Sequence, residues 1–343
     1  MSTAVVWRAG PLSHRTTRRA LLVRLALAVL VVAAVLAGLM LGAHRLTLPD
    51  VLAAFLPDAP APDRLVVVGW RAPRALAAAL FGACLGLSGA IVQSLTRNPL
   101  GSPDVIGLNT GAYAGVVGVI LLGGTGFGAI AVGALAGGLG TALVVYALAF
   151  RQGVRGFRLV IVGIAVSAML SSLVTWFSVK ADLDVALRAA VWGAGTLSTA
   201  TWPALAGSAT AAVLLALALP AAGRWLRLLE LGDDAAAALG LPVERAKAVL
   251  LLLGVGLTAL VTATTGPIAF VALAAPQIAR RLVGRGGSVD LPGSALVGAV
   301  LLTAADLVAQ HALPGVLLPA GAVTVCLGGG YLVWLLARES RRS

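Results

Sequence analysis

The chain has 343 residues, of which 59% are hydrophobic and only 11% charged, and its mean hydropathy is +1.00. A water-soluble domain carries roughly a quarter charged residues, so this composition excludes one and describes a polytopic membrane protein. The formal charge of +12 and the pI near 11.4 do not indicate nucleic acid, because the basic residues are confined largely to the gaps between apolar runs, where they act as topology signals.

A hydrocarbon core of ~30 Å needs about 20 helical residues at ~1.5 Å each. The apolar runs supply ten candidate spans, near 21–43, 71–94, 105–123, 128–150, 158–178, 203–222, 248–265, 267–284, 292–311 and 319–337. The first is longer than the apolar core of a signal peptide and lacks a clear A-x-A site, so it reads as a span. At the head of the second, Arg71 and Arg74 are three apart and share one helical face. Gly82, Gly86 and Ala90 further along, and Gly133 and Gly137 in the fourth span, make small-residue faces for close helix approach. Asn98 and Asp104 flank Pro99 and Pro103 as turn and cap residues before the third span. The segment 151–158 is a basic turn with Gly153 and Gly156. Along the fifth span Gly163, Ser167, Ser171 and Thr175 recur every four residues and are expected on one face. The stripe has two readings: hydroxyls turned to a polar path, or helix packing with the hydroxyls bonded to the i−4 carbonyls.

The sixth span ends in a polar island at 223–247, GRWLRLLELGDDAAAALGLPVERAK. Asp233 and Asp234 stand where an N-cap belongs for a turn from Ala235 to Leu239. Gly240 supplies a left-handed stop, and Pro242 pre-sets a second short helix from Val243 to Lys247. Two capped helices make a charged knob rather than a loop, suited to contact with a soluble partner. Downstream, Asp306 is a carboxylate inside an apolar run; a lone acid without a basic partner in the membrane favours a structural role over a proton relay. Cys84 and Cys326 lie in apolar runs without a CxxC, and His14, His44 and His311 are scattered near span ends, so neither a disulfide framework nor a metal site is indicated. No G-x-x-x-x-G-K-[ST] pattern occurs, so any ATP is hydrolysed by another chain.

With the N-terminus inside, 19 of the 25 basic residues face the cytoplasm, leaving Arg45, Arg64, Arg71, Arg74, Lys180 and Arg188 on the other side. That bias predicts cytoplasmic termini and a cytoplasmic knob in a multi-pass protein of the inner membrane.

The stretch WRAPRALAAALFGACLGLSGAIVQSLTRNPLGSPDVIG at 70–107, GPIAFVALAAPQIARRLVG at 266–284 and LPAGAVTVCLGGGYLVWLL at 318–336 resemble the permease subunits of iron-siderophore and cobalamin ABC importers, the FecCD-type family. Within it, RNPLGSPDVIG, FRLVIVGI, LLELGDDAAAALG and VTVCLGGGYL are similar to the ferric enterobactin permease subunits. The resemblance covers nearly the whole chain. It implies an all-α, ten-span permease as a single domain over 1–343, which would suit a five-plus-five inverted repeat.

It also implies two permease subunits, as a heterodimer or a homodimer, with two cytoplasmic ATPases and an extracytoplasmic binding protein. This chain itself is expected to carry no cofactor and no catalytic residue, with ATP and Mg on the ATPase. The coupling pair seated in the ATPase would comprise Glu230, Gly232, Asp233, Asp234, Ala235, Leu239, Gly240, Val243, Glu244 and Arg245. Arg71 and Arg74 of the family's R-x-P-R motif would meet glutamates of the binding protein; Gln310 and Leu317 stand where many members have Arg and Glu. The fifth-span stripe would line the path, and Gly153, Arg155, Gly156 and Phe157 would belong to a cytoplasmic gate loop. The expected cargo is a ferric siderophore, catecholate in class, with cobalamin or haem as the alternative. A proton-coupled secondary carrier would fit ten spans but would not need a capped docking knob.

Overall fold

The computed structural model describes residues 4–9, 12–104, 107–124, 126–149, 156–284, 289–313 and 315–340. A short antiparallel hairpin, β1 (Ala4–Ala9) and β2 (Leu12–Thr17), precedes a helical body. Thr17 accepts from the Ala20 amide and so caps α1 (Arg18–Met40). The connection that follows holds α2 (Leu48–Ala53) and α3 (Ala61–Arg64), which runs through a π-helical stretch, Leu65–Arg71, into α4 (Ala72–Thr96). There follow α5 (Leu108–Leu121), α6 (Phe127–Ala149), α7 (Gly156–Lys180) and the short helix α8 (Leu183–Gly193). The remainder is α9 (Trp202–Ala216), α10 (Leu219–Leu229), α11 (Asp233–Ala238), α12 (Val243–Thr265), α13 (Val271–Val283), α14 (Leu291–His311) and α15 (Ala320–Ser340).

Every predicted span meets a helix, but not every helix is a full crossing. Among the described residues six are long and apolar enough to cross a bilayer, and α9 with α10 makes a seventh that bends by 47° where Pro220 interrupts it. By contrast α5 has 14 residues and α13 has 13, about 20 Å each. Both are short for the same reason. The chain before each enters the bundle as irregular backbone containing Gly and Pro, at 101–104 and at 266–270. Such backbone is tolerated at membrane depth only when protein covers it, and these two segments cover each other: the Asp104 carboxylate accepts from the Phe270 amide and from Asn109, whose own side chain takes the Thr262 hydroxyl.

The core lies around α4, which buries most of its length against α12, α13 and α14. Lipid offers helices no hydrophobic reason to associate, so close backbone approach must hold them. A Cβ at Gly82 would stand 2.3 Å from the Gly298 carbonyl oxygen, and one at Gly86 would stand 2.0 Å from that of Ser294. The small-residue face expected on the second span therefore serves α14. Gly133 and Gly137 do the same for α6 against Gly115 and Gly111 of α5. The outward sides of α1 and α7 remain apolar and exposed, as lipid-facing or subunit-facing surfaces should be.

Candidate functional site

The knob forms where the sequence puts it, by a different local chemistry. Gly232, at φ +105, is the N-cap of α11, and Asp233 and Asp234 occupy its first turn without a capping hydrogen bond from either side chain. The backbone at the cap needs a conformation open to glycine and costly for aspartate, so the expected aspartate cap is corrected. The two carboxylates still favour the positive end of the helix. At the other end the prediction holds: Gly240 lies at φ +83, its amide bonds Ala237 O at 2.9 Å, and the Leu241 amide bonds Ala236 O at 3.0 Å, a Schellman closure. The second short helix is not separate. Val243–Lys247 is the first turn of α12, because no Gly or Pro interrupts the helical run until Gly254.

Ala236, Leu226, Leu229 and Leu241 fix the knob on the bundle. Leu231 and Leu239 point away, 63% and 62% exposed, beside exposed Glu230, Asp234, Ala235, Gly240, Glu244 and Arg245, with Val243 half-buried. The outward face thus combines two large apolar side chains with charges of both signs. Inward, Asp233 accepts from Arg97 Nη2 at 2.8 Å and from Lys247 Nζ at 2.6 Å. Glu230 accepts the Val289 amide at 2.7 Å. Sequence reasoning assigned Asp233 to its own helix and missed both cations; Arg97 lies 136 residues away.

At the opposite end of the bundle from the knob both arginines have intramolecular partners. Arg71 donates to Leu39 O at 2.8 Å and His44 O at 2.6 Å, closing the carbonyl end of α1. Arg74 grips Asp306 with Nε at 3.0 and 3.1 Å and Nη2 at 2.8 Å, and Gln310 donates to the same carboxylate at 2.8 Å. The reading of Asp306 as an acid without a basic partner is therefore corrected. Its partner sits on α4, and the pair supports the structural role. Gln310 completes the carboxylate's shell. Two clefts of about 390 and 430 Å³ open on either side of α8, lined by Trp192, Thr199 and Thr264 in one and by Arg74, Ser198 and Pro319 in the other, with Thr196 and Val191 shared.

The fifth-span stripe divides. Gly163 is buried and Ser167 places its hydroxyl, without a partner, against Gly107, whereas Ser171 and Thr175 are exposed and Thr175 bonds the Ser171 carbonyl at 2.8 Å. Each four-residue step overshoots a 3.6-residue turn by about 40°, so the ends of the stripe point about 120° apart. Of the gate loop, Gly153 and Arg155 lie outside the described residues, and Gly156 and Phe157 open α7. Among the described residues no group of three or more His, Cys, Asp or Glu could hold a metal ion.

This arrangement, a helical bundle with a capped polar knob at one end and clefts at the other, has solved and curated counterparts. The solved structure of an inward-facing metal-chelate type ABC transporter superposes with a TM-score of 0.81 at 27% identity, covering 92% of this chain and 99% of that one. The ferric enterobactin transport system permease protein FepG of Escherichia coli (strain K12) is 50% identical over 326 residues, 95% of this chain and 98% of that protein. The iron(3+)-hydroxamate import system permease protein FhuG of Bacillus subtilis (strain 168) is 34% identical over 332 residues, 94% and 99%. The profile of the FecCD transport family matches residues 29–338, nearly end to end, and the chain belongs to that family.

Proposed function

We propose that the chain is the permease subunit of a binding-protein-dependent ABC importer that moves a ferric siderophore of the catecholate class inward. The observation that carries the reading is the 50% identity to FepG across 95% of the chain. The knob supports it independently, since a capped and partly apolar projection is what a separate ATPase would seat. ATP and Mg belong to that ATPase, present in two copies. A second permease subunit completes the path, as a sister chain by the likeness to FepG and as a second copy in the alternative. The preponderance of basic residues on the knob side supports cytoplasmic termini in the inner membrane.

At the outer face an extracytoplasmic binding protein would dock over Arg71 and Arg74. Arg74 enters this dock already neutralised by Asp306, so its contribution is to hold the mouth in shape. The stripe residues Ser171 and Thr175 are the part of α7 free to line the path. A proton-coupled secondary carrier is disfavoured by the same ion pair, which leaves Asp306 with a fixed cation rather than a relay.

The test is purification of the whole complex from its native membrane, identification of the chains that accompany this one, and uptake into proteoliposomes of iron chelated by a tricatecholate, a hydroxamate, haem or cobalamin. Uptake of the tricatecholate with ATP hydrolysis is expected. Transport of cobalamin or haem in its place would overturn the cargo, and transport without an ATPase would overturn the class.

A further inference from the structure

We propose that Asp233 is a positioning residue that clamps the knob to the cytoplasmic ends of α4 and α12, so that displacement of a partner seated on the knob reaches both helices together; the inference rests on the knob being the ATPase seat. The Asp233 carboxylate does no capping for its own helix. Its two oxygens are divided instead, Oδ1 to Arg97 at 2.8 Å and Oδ2 to Lys247 at 2.6 Å. Arg97 is the C-cap of α4, held in the left-handed region at φ +50. Lys247 belongs to the first turns of α12; only 10% of its side chain is exposed, and it lines a crevice with Val92, Thr96, Tyr146 and Leu159. One carboxylate on the knob therefore holds a cation from each of two core helices.

Those helices are themselves fastened. Ser88 of α4 donates to Gly254 O of α12 at 2.5 Å, and Thr258 of α12 donates to Ser88 at 2.8 Å. Gln93 extends the link to α13, giving its amide to Leu273 O and accepting from Gln277 and Arg280. A push on α11 is thus delivered to a body of three helices. The outward and inward faces of the knob are chemically distinct, since Leu231 and Leu239 face away while Asp233 faces the bundle. An arm as exposed as Asp233 to Arg97 adds little stability. Its value is registration: Glu230 ties the α10 end of the knob to the Val289 amide, but α11 itself otherwise rests on apolar contacts such as Ala236, which are non-directional, whereas a carboxylate shared between two fixed cations defines its position.

The experiment uses the complete transporter in proteoliposomes, with the Asp233→Asn variant, which keeps the side-chain volume and removes the charge. The ATPase is expected to co-purify in the parental ratio, while stimulation of ATP hydrolysis by the loaded binding protein falls at least about fivefold, the lower end of coupling between linked sites. Cargo delivered per ATP falls with it. Asp233→Glu restores most of both, and adding Arg97→Gln to Asp233→Asn produces no further loss. Parental stimulation and stoichiometry in Asp233→Asn would overturn the clamp, and so would loss of the ATPase from the complex, which would put Asp233 in the seat itself. The seat is tested apart, by Leu231→Asp with Leu239→Asp. Displacement of the ATPase is expected, and its retention would overturn the seat while leaving the Asp233 measurement to stand on its own.

Discussion

Replacing Asp306 with Asn would leave the Arg74 guanidinium, 13% exposed, facing a neutral side chain in a site where the carboxylate is only 4% exposed. Breaking one side of a buried pair costs about 3–5 kcal/mol, because the surviving charge stays desolvated without compensation. The amide oxygen of Asn can still accept one of the three short bonds that Arg74 now makes, which places the loss near the lower end, about 3 kcal/mol. Arg74→Met alone strands the carboxylate with Gln310 as its remaining partner and should cost at least as much. The double variant Arg74→Met with Asp306→Asn removes both charges and should return to within about 1–2 kcal/mol of the parent. The assay is reversible unfolding of the purified chain by SDS titration in mixed micelles, read through tryptophan fluorescence. A coupling energy of about 2 kcal/mol or more between the two sites is expected. If the single losses instead add to within about 0.5 kcal/mol, the two side chains do not act as a pair, and the brace between α4 and α14 does not exist as described.

Gly82→Ala should lower the folded yield by an overpacking cost of about 1–3 kcal/mol, since the new methyl meets the Gly298 carbonyl of α14, whereas Gly207→Ala, with open space around it, should be neutral by the same unfolding assay. Gly240→Val forces a side chain into the left-handed region and should cost about 1–2 kcal/mol, seen as weaker recovery of the ATPase in pull-downs while the spans stay folded; undiminished recovery would remove the Schellman stop from the account of the knob. Single cysteines should separate the fifth-span stripe, with Ser167→Cys unreactive to a membrane-impermeant maleimide and Ser171→Cys and Thr175→Cys labelled in at least one nucleotide state. If the latter two never react, that face of α7 meets lipid or a packed subunit, and it ceases to be a candidate wall of the path.

The features legible in the sequence are those written locally. Apolar run length located the spans, and Gly240 with Pro242 marked the knob because a left-handed stop followed by a fixed φ has few other uses. The family resemblance then joined knob and spans into a transporter. What escaped was set by contacts across the fold. Arg74 and Asp306 are 232 residues apart, so each looked like an isolated charge, one a docking residue and the other an acid without a partner. Asp233 was read against its own helix because its real partners lie on α4 and α12. The shortness of α13 was hidden by hydropathy, which continues through the irregular segment at 266–270. The fifth-span stripe failed for a geometric reason: a spacing of four is close to a helical turn over one step and far from it over three.

The brace between Arg74 and Asp306 also constrains how the protein is made. Arg74 lies on the second span and Asp306 on the ninth, and at about 5–20 residues per second the 232 residues between them take roughly 12–46 seconds to synthesise. Until then α4 carries a cation without its acid, and the place of Arg74 in the first turn of the helix lets a long guanidinium reach toward the headgroup region. Asp306 follows on α14, at the same level as Arg74 because the two side chains meet, and it arrives after its partner has been made. The pair can therefore form only when α4 and α14 are both in place, so the brace is among the later contacts the growing chain can make.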